Sequence, residues 1–157
     1  MSFRNTFFRL LTALLAVLTL LPAGLAARGT GEHRIIPRPA SIHFTSGFYD
    51  PAAVPSDGID VQICSRPGAV SGAYRLLVTP GGVLVEAADS AGAFYAMQTL
   101  EALRDPATGI VPCVEVEDAP RFQWRGFMQD VSRHFFSIEY LKRQIDAMAR
   151  LKLNVLH

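Results

Sequence analysis

Residues 124–157 read WRGFMQDVSRHFFSIEYLKRQIDAMARLKLNVLH. Its first eight residues, WRGFMQDV, are a short apolar run of strand character. Ser137 is placed to cap a helix, because its hydroxyl can accept from a first-turn amide, and Phe136 and Leu141 are spaced as a hydrophobic staple across that cap. Along the helix Ile138, Leu141, Ile145 and Met148 fall at helical spacing and are expected to form the buried face. LNVLH, residues 153–157, then starts a second strand. A strand, a helix and a parallel strand make a βαβ opening, and such a unit cannot bury both faces of its sheet alone.

Working outward, the turn DAP at 118–120 is the one plausible domain boundary, since the residue before a proline is pushed out of the helical region. Upstream of it the pattern is that of a small α+β unit. IIPRPASIHF carries Pro37 and Pro39, which suit an edge or the start of a strand. GIDVQIC alternates Ile59, Val61 and Ile63 against polar neighbours and predicts a strand with one buried face. YRLLVTPGGVLVEA predicts two antiparallel strands joined at Pro80, Gly81 and Gly82, with the glycines supplying positive φ. DSAGAFYAMQTLEALRD predicts a helix capped by Asp89 or Ser90, with Phe94, Met97, Leu100 and Leu103 as its core stripe. GIVPCVEVED closes the unit with a strand carrying Val111, Val114 and Val116. The expected division is 1–26, 27–118 and 119–157.

Residues 1–26 have the form of a secretory signal peptide. Arg4 and Arg9 precede an uncharged apolar run over 10–21, which is shorter than the roughly 20 residues a membrane span needs, and Gly24 and Ala26 supply the small residues of a cleavage site. Export, to periplasm or medium, and no stable membrane insertion are the expectations. Removing those residues takes the formal charge from +1 to −1. A nearly neutral chain offers no electrostatic reason to bind nucleic acid. Cys64 and Cys113 are the only cysteines. They have no metal-ligand spacing, and two buried thiols are favoured over a disulfide.

The combination of Arg-Gly at 125–126, Asp-Val-Ser-Arg-His at 130–134 and Asn-Val-Leu-His at 154–157 resembles the opening of the catalytic barrel in glycoside hydrolase family 20, the β-N-acetylhexosaminidases. AGAFYAMQTLEAL resembles the helix that precedes that barrel, and IIPRPASI the start of the N-terminal domain. The resemblance implies an α+β N-terminal domain followed by the truncated start of a (β/α)8 TIM barrel. It implies hydrolysis of terminal β-linked N-acetylhexosamine from glycans or glycoconjugates by a substrate-assisted retaining mechanism, in which the 2-acetamido oxygen attacks the anomeric carbon. An adjacent Asp-Glu pair does the acid–base and stabilising work in that family, and no metal or other cofactor is implied. This sequence contains no Asp-Glu dipeptide. About 39 residues follow Ala119, against roughly 250 for a whole barrel, so the expectation is the front of a larger enzyme, inactive by itself.

By the same resemblance Arg125 binds the hydroxyls of the terminal sugar, although it stands at the start of its strand and barrel sites lie at strand carboxyl ends. Asp130 and His157 are expected near the site. Arg133 and His134 either line it or fix the loop as a charge network, with the network favoured. Trp124 is read as packing. The competing reading is an exported, non-catalytic binding or assembly module that has lost its barrel.

Overall fold

A computed structural model describes residues 35–54, 58–64 and 67–157. The expected signal peptide lies outside the described residues. Alternation decides the sheet: Tyr74, Leu76 and Val78 of β3 (Tyr74–Thr79) and Val83, Val85 and Ala87 of β4 (Gly82–Ala87) are all buried on one face. The two strands pair antiparallel and close on Thr79 and Gly82, around Pro80 and Gly81. Of the two turn glycines only Gly82 has positive φ, and a Cβ there would stand 2.8 Å from the Gly58 carbonyl oxygen.

β1 (Ser41–Tyr49), β2 (Ile59–Ile63) and β5 (Val111–Asp118) complete a five-stranded sheet in the order β1-β5-β3-β4-β2. β2 runs parallel to β4, and the other neighbours are antiparallel. Pro37 and Pro39 precede β1, an edge strand, and so remove no hydrogen bond from its ladder. β2 is the opposite edge, and its Ile59, Val61 and Ile63 are exposed rather than forming a buried face. The reason is coverage: the α1 helix (Ser90–Leu103) packs chiefly against β3 and β4.

Asp89 caps α1, its Oδ1 accepting from Gly92 N at 2.8 Å. The same carboxylate accepts from Ser71 Oγ at 2.6 Å and from Gly72 N, so the cap also fastens the turn ahead of β3. The Ser71 hydroxyl, and then the Gly92 amide, hold this carboxyl below its ordinary pKa. The buried stripe of α1 is Gly92, Tyr95, Ala96, Thr99, Leu100 and Leu103, whereas Phe94 is exposed. Of the expected stripe Leu100 and Leu103 are buried and Met97 packs against the core, and Phe94 alone faces outward. Tyr95 and Thr99 go inward because each polar atom finds a partner there.

Beyond Pro120, Gly126–Phe127 (β6) pairs in parallel with Val155–Leu156 (β7), and α2 (Ile138–Arg150) connects them. Ser137 caps α2 through Tyr140 N, and Phe136 stacks on the Tyr140 ring at 4.7 Å. The apolar stripe expected of α2 is present, but only Met148 is buried; Ile138 and Ile145 stand open. This is the incomplete layer that a lone βαβ opening must have. Cys64 and Cys113 are free thiols, and burial pushes the Cys113 pKa up.

Candidate functional site

Parallel pairing brings the carboxyl ends of β6 and β7 together, with Gln129 N donating to His157 O at 2.8 Å and His157 N to Phe127 O at 2.9 Å. Asp130 therefore leaves β6 beside His157. Asp130 Oδ1 accepts from Ser132 N and Arg133 N at 2.9 and 3.1 Å, and Oδ2 pairs with Arg133 Nε. The Arg133 amide, then its guanidinium, hold the Asp130 carboxyl below the usual carboxylate range, so it is an anion across the physiological range. His134 meets Phe136 edge-on at 4.9 Å. The loop is thus shaped by Asp130, while the Arg133 side chain is 86% exposed. At a strand carboxyl end, a fixed carboxylate and an open guanidinium are groups able to bond sugar hydroxyls.

Arg125 is placed differently. It precedes β6 at the amino end, and its three nitrogens already donate within the protein: Nε to Lys152 O at 2.8 Å, one terminal nitrogen to Phe122 O at 2.5 Å and the other to Tyr95 Oη at 2.8 Å. Its guanidinium also lies over the Tyr95 ring, 5.3 Å from the centroid. Two of its five N–H groups, one on each terminal nitrogen, are left over for a sugar. Trp124 is 72% exposed and, among the described residues, is not packed as the sequence reading expected.

A buried ionic group that sequence reading missed lies where the small domain meets the βα unit. Alternation along β5 puts Asp118 on the α1-facing side, directly opposite Tyr74. Lys152 Nζ donates to Asp118 Oδ2 and to Tyr74 Oη, both at 2.8 Å. Tyr74 Oη is 2.7 Å from Thr99 Oγ1 and 3.1 Å from Asp118 Oδ2, and Asp118 Oδ1 accepts from Ala40 N and Ala119 N. Burial lowers the Lys152 pKa despite the opposing pull of Asp118, and Arg125 adds to the lowering; burial raises that of the Tyr74 phenol. No local pattern marks these residues, since their meeting depends on a contact 34 positions apart. A broad concavity nearby, lined by Ala40, Ser41, Arg75 and Glu117 among others, touches none of Arg125, Asp130, Arg133, His134 and His157.

No cluster of three or more His, Cys, Asp or Glu that would hold a metal exists among the described residues, and no helix among them is long and apolar enough to cross a membrane.

Comparison with known proteins places this geometry. The sequence model of "Glycosyl hydrolase family 20, domain 2" matches residues 49–119, and that of "Glycosyl hydrolase family 20, catalytic domain" matches residues 122–157. A beta-hexosaminidase of Akkermansia muciniphila is 35% identical over 134 residues, covering 83% of this chain and 26% of its own length. A beta-N-acetylhexosaminidase of Cellulomonas fimi is 38% identical over 128 residues, covering 79% of this chain and 24% of its own length. The chain therefore spans about a quarter of these relatives. Among solved structures, a glycoside hydrolase family 20 beta-N-acetylglucosaminidase superposes with a TM-score of 0.69 at 36% identity, over 79% of this chain and 30% of that one. With an α+β sheet domain matching domain 2 and a βα opening matching the first part of the catalytic domain, in the order that family uses, the chain belongs to glycosyl hydrolase family 20.

Proposed function

We propose that the protein carrying these residues is an exported hydrolase that removes terminal β-linked N-acetylhexosamine from glycans or glycoconjugates. The observation that supports this best is the matching of two consecutive segments to consecutive domains of one hydrolase family, among relatives named as β-hexosaminidases. The mechanism is substrate-assisted: the acetamido oxygen attacks the anomeric carbon as the leaving oxygen is protonated, and water then opens the bicyclic oxazolinium. An enzyme of this kind needs the acetamido group itself. At its natural full length the protein is expected to release nitrophenol from 4-nitrophenyl N-acetyl-β-D-glucosaminide or galactosaminide. Turnover of 4-nitrophenyl β-D-glucoside, which lacks the nucleophile, should be slower by a factor on the order of a thousand or more. Comparable rates on the glucoside would sink the mechanism. Residues 1–157 alone are expected to show no turnover, since they hold no Asp-Glu pair.

Within this reading a guanidinium of the first barrel strand bonds the sugar hydroxyls. The family resemblance assigns that to Arg125, while position at the strand's carboxyl end favours Arg133. Alanine substitutions separate the two. Losing charge-assisted hydrogen bonds worth about 1.5–3 kcal/mol lowers kcat/KM by roughly ten- to a hundredfold. Arg133→Ala is expected to do this with the melting temperature unchanged, whereas Arg125→Ala is expected to lower the melting temperature. The reverse pattern would return the role to Arg125.

A further inference from the structure

Lys152 has φ +57, the left-handed conformation that glycine adopts at least cost. It occupies the position after the α2 cap residue Leu151, where Lys152 N bonds Ala149 O and Leu153 N bonds Met148 O. That is the helix-ending arrangement in which glycine is usual. A lysine there raises the backbone energy by roughly 1 kcal/mol, and its side chain is directed inward, leaving the residue only 7% exposed.

What Lys152 does with that conformation is close a ring. Its carbonyl accepts from Arg125 Nε, and Arg125 reaches on to Tyr95 Oη. Its ammonium donates to Tyr74 Oη, which meets Thr99 Oγ1, and Thr99 Oγ1 donates to Tyr95 O at 3.2 Å. Five elements or their flanks contribute: α1, β3, the end of β5 through Asp118, the start of β6, and the turn between α2 and β7. Lys152 holds both halves, one by its backbone and one by its ammonium.

We propose that Lys152 is a positioning residue through which the small domain sets the place of β6 and β7, and with them Asp130 and His157 at the strand carboxyl ends. The consequence for sugar cleavage rests on the function proposed above; the positioning does not, and the test is read without sugar. Hydrogen exchange of the full chain, followed by mass spectrometry at a concentration low enough to keep it monomeric, reports the Gln129, Val155 and His157 amides of the β6–β7 ladder separately from those of β3–β5.

Lys152→Gly removes the left-handed penalty, so an idle side chain predicts unchanged or slower exchange in β6–β7. Positioning predicts exchange there faster by about tenfold or more, with β3–β5 unchanged. Tyr95→Phe deletes one hydroxyl at the far side of the ring and is expected to act in the same place more weakly. Unchanged β6–β7 amides in Lys152→Gly, or equal acceleration of both sheets, would overturn the proposal.

A pH profile tests the ionic half. The charged or titratable groups facing the ammonium are Asp118 from β5, Tyr74 from β3 and Arg125 from the start of β6. Asp118→Asn leaves the ammonium with Arg125 and no anion, so its folded pKa drops further below its unfolded value. Between those values the unfolded chain binds more protons, and stability rises with pH. Asp118→Asn is therefore expected to regain stability as pH is raised from about 7 to 10. Asp118→Asn combined with Lys152→Met should not, and Cys113, common to both, cancels in the comparison. Identical profiles for the two variants would also overturn the proposal.

Discussion

Gly92→Ala is expected to lower the thermal midpoint by about 10 °C or more, although helix propensity alone argues the other way. Replacing glycine by alanine inside a helix gains roughly 1 kcal/mol where there is room. Here there is none: a Cβ on Gly92 would lie 2.3 Å from the Ala73 carbonyl oxygen and 3.2 Å from its carbon. These are backbone atoms at the start of β3, and they cannot swing aside as a side-chain terminus does. Ala73 O also accepts from Ala88 N at 2.9 Å, so its position is already used. Either α1 lifts from the sheet or the start of β3 shifts. Overpacking costs about 1–3 kcal/mol where side chains can adjust, and this site belongs at or above that range. About 2 kcal/mol net, in a domain of this size, is roughly 10 °C. The effect should spread to Arg125, because Tyr95, one turn further along α1, holds its guanidinium. A midpoint that rises by a few degrees in Gly92→Ala would mean that α1 does not approach β3 this closely.

The glycine also marks where sequence reading stops. In DSAGAFYAM the pattern announces a helix and its cap, and both are present as Asp89 and Ser90–Leu103. Met97, Leu100 and Leu103 turn inward as expected, but that Tyr95 and Thr99 do so in place of Phe94 was not legible, because Phe94 outranks both on any scale of hydrophobicity. The two polar residues are buried only because Arg125 and Tyr74 meet them, and those partners arrive from other strands. The strands of the hairpin at 74–87 were legible, since alternation is a local property, whereas the turn was legible only in part: Gly82 alone takes the positive φ expected of both glycines, and it belongs to the strand. β2 shows the converse: its alternation was real, but its burial depended on how far α1 extends over the sheet.

The same distinction runs through the candidate site. Asp130 near the end of β6 was readable from motif order, and the backbone turn it shapes is local to residues 130–133. Arg125 was readable as a residue of note but not for what it touches. Its partners are Lys152 O and Tyr95 Oη, 27 and 30 positions away. Lys152 gave no signal at all, because a lysine near a helix end is ordinary as a complement to the helix dipole. Only its positive φ and the carboxylate of Asp118 distinguish it from a solvated one.

Residues 28–157 produced alone are expected to associate through the βα unit. Beyond Pro120 many large apolar side chains stand open: Phe135 is 84% exposed, Trp124 72%, Met128 64%, Ile138 58% and Ile145 50%. Scattered exposed apolar residues need no explanation, but Ile138 and Ile145 share the uncovered stripe of α2, and an open apolar helix face drives contact between copies. The short β6–β7 sheet adds unpaired backbone edges to it. Unfolding of residues 122–157 is the other way to relieve such a face, and the two responses compete. Lys152 and Arg125 decide in favour of association: the Lys152 ammonium bonds Tyr74 and Asp118 and the Arg125 guanidinium bonds Tyr95, all in the small domain, while Asn154 joins the two short strands to each other through Arg125 N and Gln123 O. Light scattering should therefore show large species while protease leaves the chain intact. Ile138→Glu with Ile145→Glu should return it to monomer, because burying about two isoleucines per copy is worth several kcal/mol and two carboxylates on that face would oppose it. The melting temperature of the small domain, whose core of Leu76, Val78, Val85, Leu100, Val114 and Val116 is untouched, should not move. Release of a stable fragment ending near Ala119 would show that the ties are weaker than the apolar face they hold in place.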